Sequence, residues 1–109
     1  MTTRRDLLPG LLDLLILKCL SAQSMHGYGI ARHLRQVSRD VLQVEEGSLY
    51  PALQRLRIKG WVKAEWRQTP NNRRARYYAI TAAGRKQLGE ERESFDRLVA
   101  AIQRVMETA

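Results

Sequence analysis

Few side chains in this 109-residue sequence are spaced for catalysis or for holding a metal. His26 and His33 lie seven apart on what reads as one helix, too far for an i, i+4 metal pair, and the single cysteine, Cys19, makes no zinc set. Cys19 falls in an apolar run and reads as a small buried hydrophobe, not a reactive thiol. Glu45-Glu46 is a pair of carboxylates, but it immediately precedes a helix, where negative charge favours the helix dipole. That accounts for the pair better than acid–base work. Gly27-x-Gly29 is too short for a dinucleotide fingerprint and follows no readable strand. There is neither a Gly-x-Ser-x-Gly elbow nor a phosphate-binding P-loop. Nothing here points to an enzyme or to a bound cofactor.

What remains can hydrogen-bond and neutralise phosphate. On a helix read from Ser48 to Lys59, Gln54 and Arg55 lie on the outer face. There a glutamine can pair with an adenine edge and an arginine with a guanine edge. Ser48 and Tyr50 sit near the positive N-terminus of that helix and suit phosphate oxygens, as does Tyr28 at the start of the helix before it. Asn72, Arg73 and Arg74 fall at the tip of a hairpin, where they can reach phosphate or the minor groove. Tyr28 and Tyr50 fit equally well as core residues with satisfied hydroxyls, and one of Tyr77 and Tyr78 is expected in the core.

The charge is concentrated where these residues lie. The net charge is +8 and the isoelectric point about 10.4, with 44% hydrophobic residues. Residues 55–86 carry ten basic side chains, Lys59 among them, and one acidic, while the segments on either side are near balance. A one-sided block on a helix end and a hairpin is the electrostatic footprint of a nucleic-acid binder, and its binding should weaken steeply with salt.

The elements that must position these side chains follow from periodicity. Leu7 to Leu20 is apolar nearly all round and needs a second burial surface, for which another subunit is the natural candidate. Ser24 to Gly29 turns into a second helix ending near Val37, with Ile30, Leu34 and Val37 inward. A connector follows, in which Val41 to Val44 suits a very short strand. In the third helix Ser48 is placed to cap, Pro51 falls in the first turn and Gly60 stops it; Leu49, Leu53 and Leu56 face in. The outer face carries Ser48, Pro51, Gln54, Arg55 and, less expectedly, Ile58.

From Trp61 the period becomes two: Val62, Ala64 and Trp66, then Arg76, Tyr78 and Ile80, around a turn-rich break. Thr81 caps a last helix, with Gly84 and Gly89 as weak points. Leu88, Phe95, Leu98, Val99, Ile102, Val105 and Met106 form a packing seam there. With Leu8, Leu12 and Leu15 of the first helix, that seam is the expected dimerisation surface. The fold class is mainly α with a small antiparallel β-hairpin: a winged helix-turn-helix over 1–81 and a C-terminal dimerisation helix over 82–109. Thr3 to Leu8 loosely resembles a twin-arginine export signal, but Pro9, Asp13 and Lys18 interrupt the apolar core behind it. No run is long enough for a membrane span, and a cytoplasmic location is expected.

The same residues resemble the PadR family of bacterial transcriptional regulators over nearly the whole chain. The resemblance is carried by Leu12 to Leu17, His26-Gly27-Tyr28-Gly29, Val44 to Leu53, Arg76-Tyr77-Tyr78 and Thr81-Ala82-Ala83-Gly84, and the length resembles the subgroup with a single C-terminal helix. It implies a homodimeric repressor, built through the first and last helices, that binds double-stranded DNA at a near-palindromic operator, often upstream of its own gene. It also implies that a small aromatic or drug-like effector releases DNA in some members. Those that sandwich planar drugs use a tryptophan on the dimerisation helix; here Trp61 and Trp66 are both on the first hairpin strand, so no ligand site is assigned. Two other readings stand beside this one. A nonspecific or RNA-binding basic module would want exposed aromatic stacking pairs on the hairpin, which are not expected. A protein-interaction adaptor would have little use for the basic block.

Overall fold

The first helix, α1 (Pro9–Ala22), packs against the three other helices and the last strand in the computed structural model, which describes residues 9–109. After α1 come β1 (Met25–His26), α2 (Gly27–Val37), α3 (Glu46–Ile58), β2 (Val62–Gln68), β3 (Arg74–Ile80) and α4 (Ala82–Met106). Ile16, Leu17 and Leu20 of α1 meet Ile30 and Leu34 of α2, Leu49, Ala52, Leu53 and Leu56 of α3, Val62 of β2 and Tyr78 of β3 in one core. α1 also packs against α4. The second burial surface that an all-round apolar helix needs is therefore supplied in large part by the chain itself. Leu12, 4% exposed, belongs to this core and Leu15 packs partly buried against it, while Leu8 lies outside the described residues.

α2 begins one residue after a strand too short to leave a period-two signal. Met25 and His26 pair with Tyr78 and Tyr77 of β3, so the expected hairpin is the larger part of a three-stranded antiparallel sheet in the order β1-β3-β2. A strand thus does precede Gly27-x-Gly29, though it is two residues long. His26 is also the N-cap of α2: its Nδ1 accepts the Gly29 N–H at 2.9 Å. Val37, expected inward, is exposed at the helix end. The connector holds no strand at Val41 to Val44. It turns instead through left-handed Arg39 and Asp40, and the Ser38 hydroxyl accepts the Leu42 N–H.

α3 starts earlier than its capping chemistry suggests. Glu45 is the N-cap and Glu46 the acidic residue of the first turn, while Ser48 sits inside that turn. The N–H groups of Ser48 and Leu49 both donate to the Glu45 carbonyl. Pro51 is accordingly within the helix, not in its first turn. Its missing N–H falls opposite the carbonyl of exposed Gly47, where water can serve. The far end behaves as the spacing predicts. Gly60 has φ +79°, its N–H donates to Arg57 O, and the Trp61 N–H donates to Leu56 O, which together make a Schellman stop.

That stop runs straight into the base of the sheet. Thr81 N–H donates to Trp61 O, and its hydroxyl donates to Gly60 O at 2.7 Å and accepts the Gly84 N–H, capping α4. In the β2–β3 register Val62 faces Ile80, Ala64 faces Tyr78 and Trp66 faces Arg76. The first two pairs lie over the core and the third extends past it. Among the described residues no helix is long and apolar enough to cross a membrane, and no cluster of side chains could hold a metal ion.

Candidate nucleic-acid interface

α3 turns Leu49, Ala52, Leu53 and Leu56 inward, which leaves Gly47, Pro51, Gln54 and Ile58 on the opposite, exposed side. Ser48 is exposed beside them. Gln54 Oε1 accepts from Arg57 Nη2 at 3.2 Å. Lys59 is exposed past the end of the helix with its Nζ 4.8 Å from the Trp61 ring centre.

Arg55 is not on the open ridge. Its Nη2 donates to Asp13 Oδ1 of α1 at 3.0 Å, with the arginine side chain 42% and the carboxylate 16% exposed. The bond tilts Arg55 toward α1 and ties the two helices together. Spacing could not have found this, because the partner lies 42 residues earlier. A half-buried, charge-assisted bond of this kind is stronger than an exposed ion pair.

Tyr28 and Tyr50 both lie at the start of α2. Tyr50 lies against Gly27 so closely that a Cβ there would come within 2.9 Å of its ring and hydroxyl. Burial, and then the charge of Glu46 and the nearby Tyr78, push the Tyr50 hydroxyl above its usual pKa, so it stays a neutral hydrogen-bonding group. Tyr28 is well exposed, its ring stacked beside His26 at 6.2 Å. Both tyrosines line an open cleft of about 1010 Å³ between the start of α2 and the β2–β3 hairpin. Arg73 and Arg74 line its other side. Arg32, His33 and Gln36 of α2, together with Arg76, also face it and were not singled out from the sequence. The i, i+4 spacing of Arg32 and Gln36 on the polar side of α2 was the available signal.

The hairpin tip is built by its own side chains. Asn72 is left-handed at φ +62°, and its Oδ1 accepts from Gln68 Nε2 at 3.0 Å. The Arg73 N–H donates to Thr69 Oγ1, and Arg73 itself is exposed. Trp66, which the alternation put with the core residues, is 58% exposed because the hairpin outruns the core. Trp66 pairs with no other ring among the described residues, so it is a single exposed aromatic and not a stacking pair. Its ring is flanked by the guanidiniums of Arg74 at 5.2 Å and Arg76 at 6.0 Å, which hold both cations on the strand surface. Arg67 is neutralised by Glu65 and lies over Tyr77. Within the basic block, then, Arg55 and Arg67 are paired with carboxylates, while Arg73, Arg74 and Arg76 gather at one cleft.

The fold is shared with known proteins. A transcriptional regulator from Clostridium thermocellum superposes with a TM-score of 0.80 at 27% identity, over 87% of this chain and 92% of its own. A PadR-like transcriptional regulator from Bacillus cereus does so with a TM-score of 0.79 at 25% identity, over 92% and 95%. In sequence, the transcriptional regulator Rv3488 of Mycobacterium tuberculosis is 33% identical over 87 residues, which is 80% of this chain and 78% of that protein. Residues 16–90, the stretch that contains most of the core, the third helix and the hairpin, match the transcriptional regulator PadR-like family. Members of that family are DNA-binding regulators and not enzymes. The winged helix-turn-helix, its basic hairpin and this match together establish that the chain belongs to the PadR-like family of transcriptional regulators.

Proposed function

We propose that the protein is a cytoplasmic homodimeric repressor that holds a near-palindromic operator with two copies of α3, about 34 Å apart, in successive major grooves. The observation that carries this reading is the exposed ridge of α3 beside a hairpin whose arginines converge on one cleft. In this reading Gln54 faces base edges. Ser48, Tyr28 and Tyr50 bond phosphate oxygens near helix N-termini, and Arg55, anchored by Asp13, works from the flank. Lys59, Arg73 and Arg74 neutralise phosphates, and Asn72 shapes the tip that carries them.

Residues 1–81 act as the DNA-binding unit and 82–109 as the dimerisation helix. Phe95, Leu98, Ile102, Val105 and Met106 are exposed at 3–4 spacing on α4, a seam that a second copy would cover, with Leu88 and Val99 at its more buried edge. Release by a small aromatic effector belongs to the same reading, with no residue assigned to it.

The test is a titration of the full chain against the DNA upstream of its own coding region and against a scrambled duplex, at two salt concentrations. Preference for the upstream duplex is expected. Equal affinity for both would leave a nonspecific basic module, and no salt-dependent binding at all would leave a protein adaptor.

A further inference from the structure

Ile58 is a large aliphatic side chain, 76% exposed, at the C-terminal end of the face of α3 that points away from the core. A lone exposed isoleucine calls for no account. This one continues a ridge. Gly47, Pro51, Gln54 and Ile58 recur at i, i+4, i+7 and i+11, and all four are exposed. None of them is charged. The cations of this helix, Arg55 and Arg57, flank the ridge, and Lys59 follows it. A helix seated in a major groove meets phosphates at its flanks and base edges along its centre. An uncharged, partly apolar centre between cationic flanks therefore fits a groove floor that is itself partly apolar.

The apolar group on that floor is the 5-methyl of thymine. Gln54 adds a second match. Its Oε1 is engaged by Arg57 Nη2, so its outward groups are amide N–H donors. Thymine presents a methyl and the O4 acceptor side by side, whereas cytosine presents a donor there and no methyl. Building on the reading of α3 as the helix that enters the groove, we infer that Pro51, Gln54 and Ile58 form a thymine-reading strip. Ile58 and Pro51 pack on 5-methyl groups and Gln54 donates to the acceptor between them. The preferred sites of this protein then carry thymines where α3 crosses the groove.

The experiment uses the full chain and a duplex selected by it from a random-sequence pool. The same duplex is then made with deoxyuridine in place of thymine, which removes only the methyl groups. Affinity should fall about fourfold for each methyl packed, the value of one buried carbon group. Ile58→Ala, an exposed change that leaves the core intact, should bind the thymine duplex more weakly and shrink the thymine-to-uracil ratio toward one, without changing binding to a scrambled duplex. Ile58→Lys should lose the ratio while gaining affinity for every duplex. Sequence-selective binding with equal affinity for thymine and uracil duplexes would overturn the inference and leave the repressor reading standing. So would an unchanged ratio in Ile58→Ala, or a shift in its self-association instead. Failure of the wild-type chain to prefer any duplex would overturn both.

Discussion

Gly84 is where a single atom matters most. A Cβ there would drive into the Trp61 carbonyl oxygen and sit 2.8 Å from Ile80 Cγ1, both part of the packed junction below α4. Gly84→Ala should cost about 1–3 kcal/mol, read as a lower denaturation midpoint, whereas Gly89→Ala, with open space around it, should be neutral or slightly stabilising. From the sequence both were only weak points in a helix; the difference between them is a contact 23 residues away. Cys19 was legible as a buried hydrophobe from its apolar run. Burial raises its thiol from 9.0 to about 11. An acid whose folded pKa is raised favours the folded state fully below the unfolded pKa. That contribution is lost as pH climbs through the folded value. Stability should therefore decline between about pH 9 and pH 11, and Cys19→Ala should flatten that limb. Tyr50 acts in the same direction. Ser48 shows the opposite case. A good capping residue three positions too late loses to Glu45, whose carbonyl already accepts the N–H groups of Ser48 and Leu49.

At the scale of elements, α3, the hairpin and α4 were readable because each runs long enough to repeat its period, and because Gly60 and Thr81 mark the boundaries between them. β1 was not. Two residues cannot alternate, and what makes Met25 and His26 a strand is the edge of β3, where their partners Tyr78 and Tyr77 lie far along the chain. Arg55 was hidden for the same reason. On the interface reading, Arg73→Ala or Arg74→Ala should each lower the salt slope of duplex binding by about 0.9, one phosphate's worth. Arg67→Ala, whose charge Glu65 already answers, should leave the slope unchanged. Arg55→Ala should weaken every duplex alike. A loss confined to one base position would instead make Arg55 a base reader.

For the whole molecule, the apolar residues of α1 were visible in the sequence but their partners were not. Periodicity counts faces that need burial without saying whose side chains bury them, and here α3, β3 and α4 take much of that role. The distal half of α4 is different, since Leu98, Ile102, Val105 and Met106 stay largely exposed among the described residues. On the proposed dimer reading, wild type sediments as a dimer and Leu98→Glu with Ile102→Glu should turn it into a monomer while keeping the helical circular dichroism. Affinity for a two-half-site duplex should then fall far more than affinity for a single half-site. A variant that stays dimeric would place the interface on α1.

The junction of Gly60, Trp61 and Thr81 also has a mechanical meaning. The last turn of α3, the root of the sheet and the first turn of α4 share their hydrogen bonds at that one point. α4 is 25 residues long, about 37 Å at 1.5 Å per residue. On the proposed reading it would act as a lever whose pivot is clamped to the end of α3. A small tilt forced on the free end would then reach α3 through those shared bonds as a change of aim.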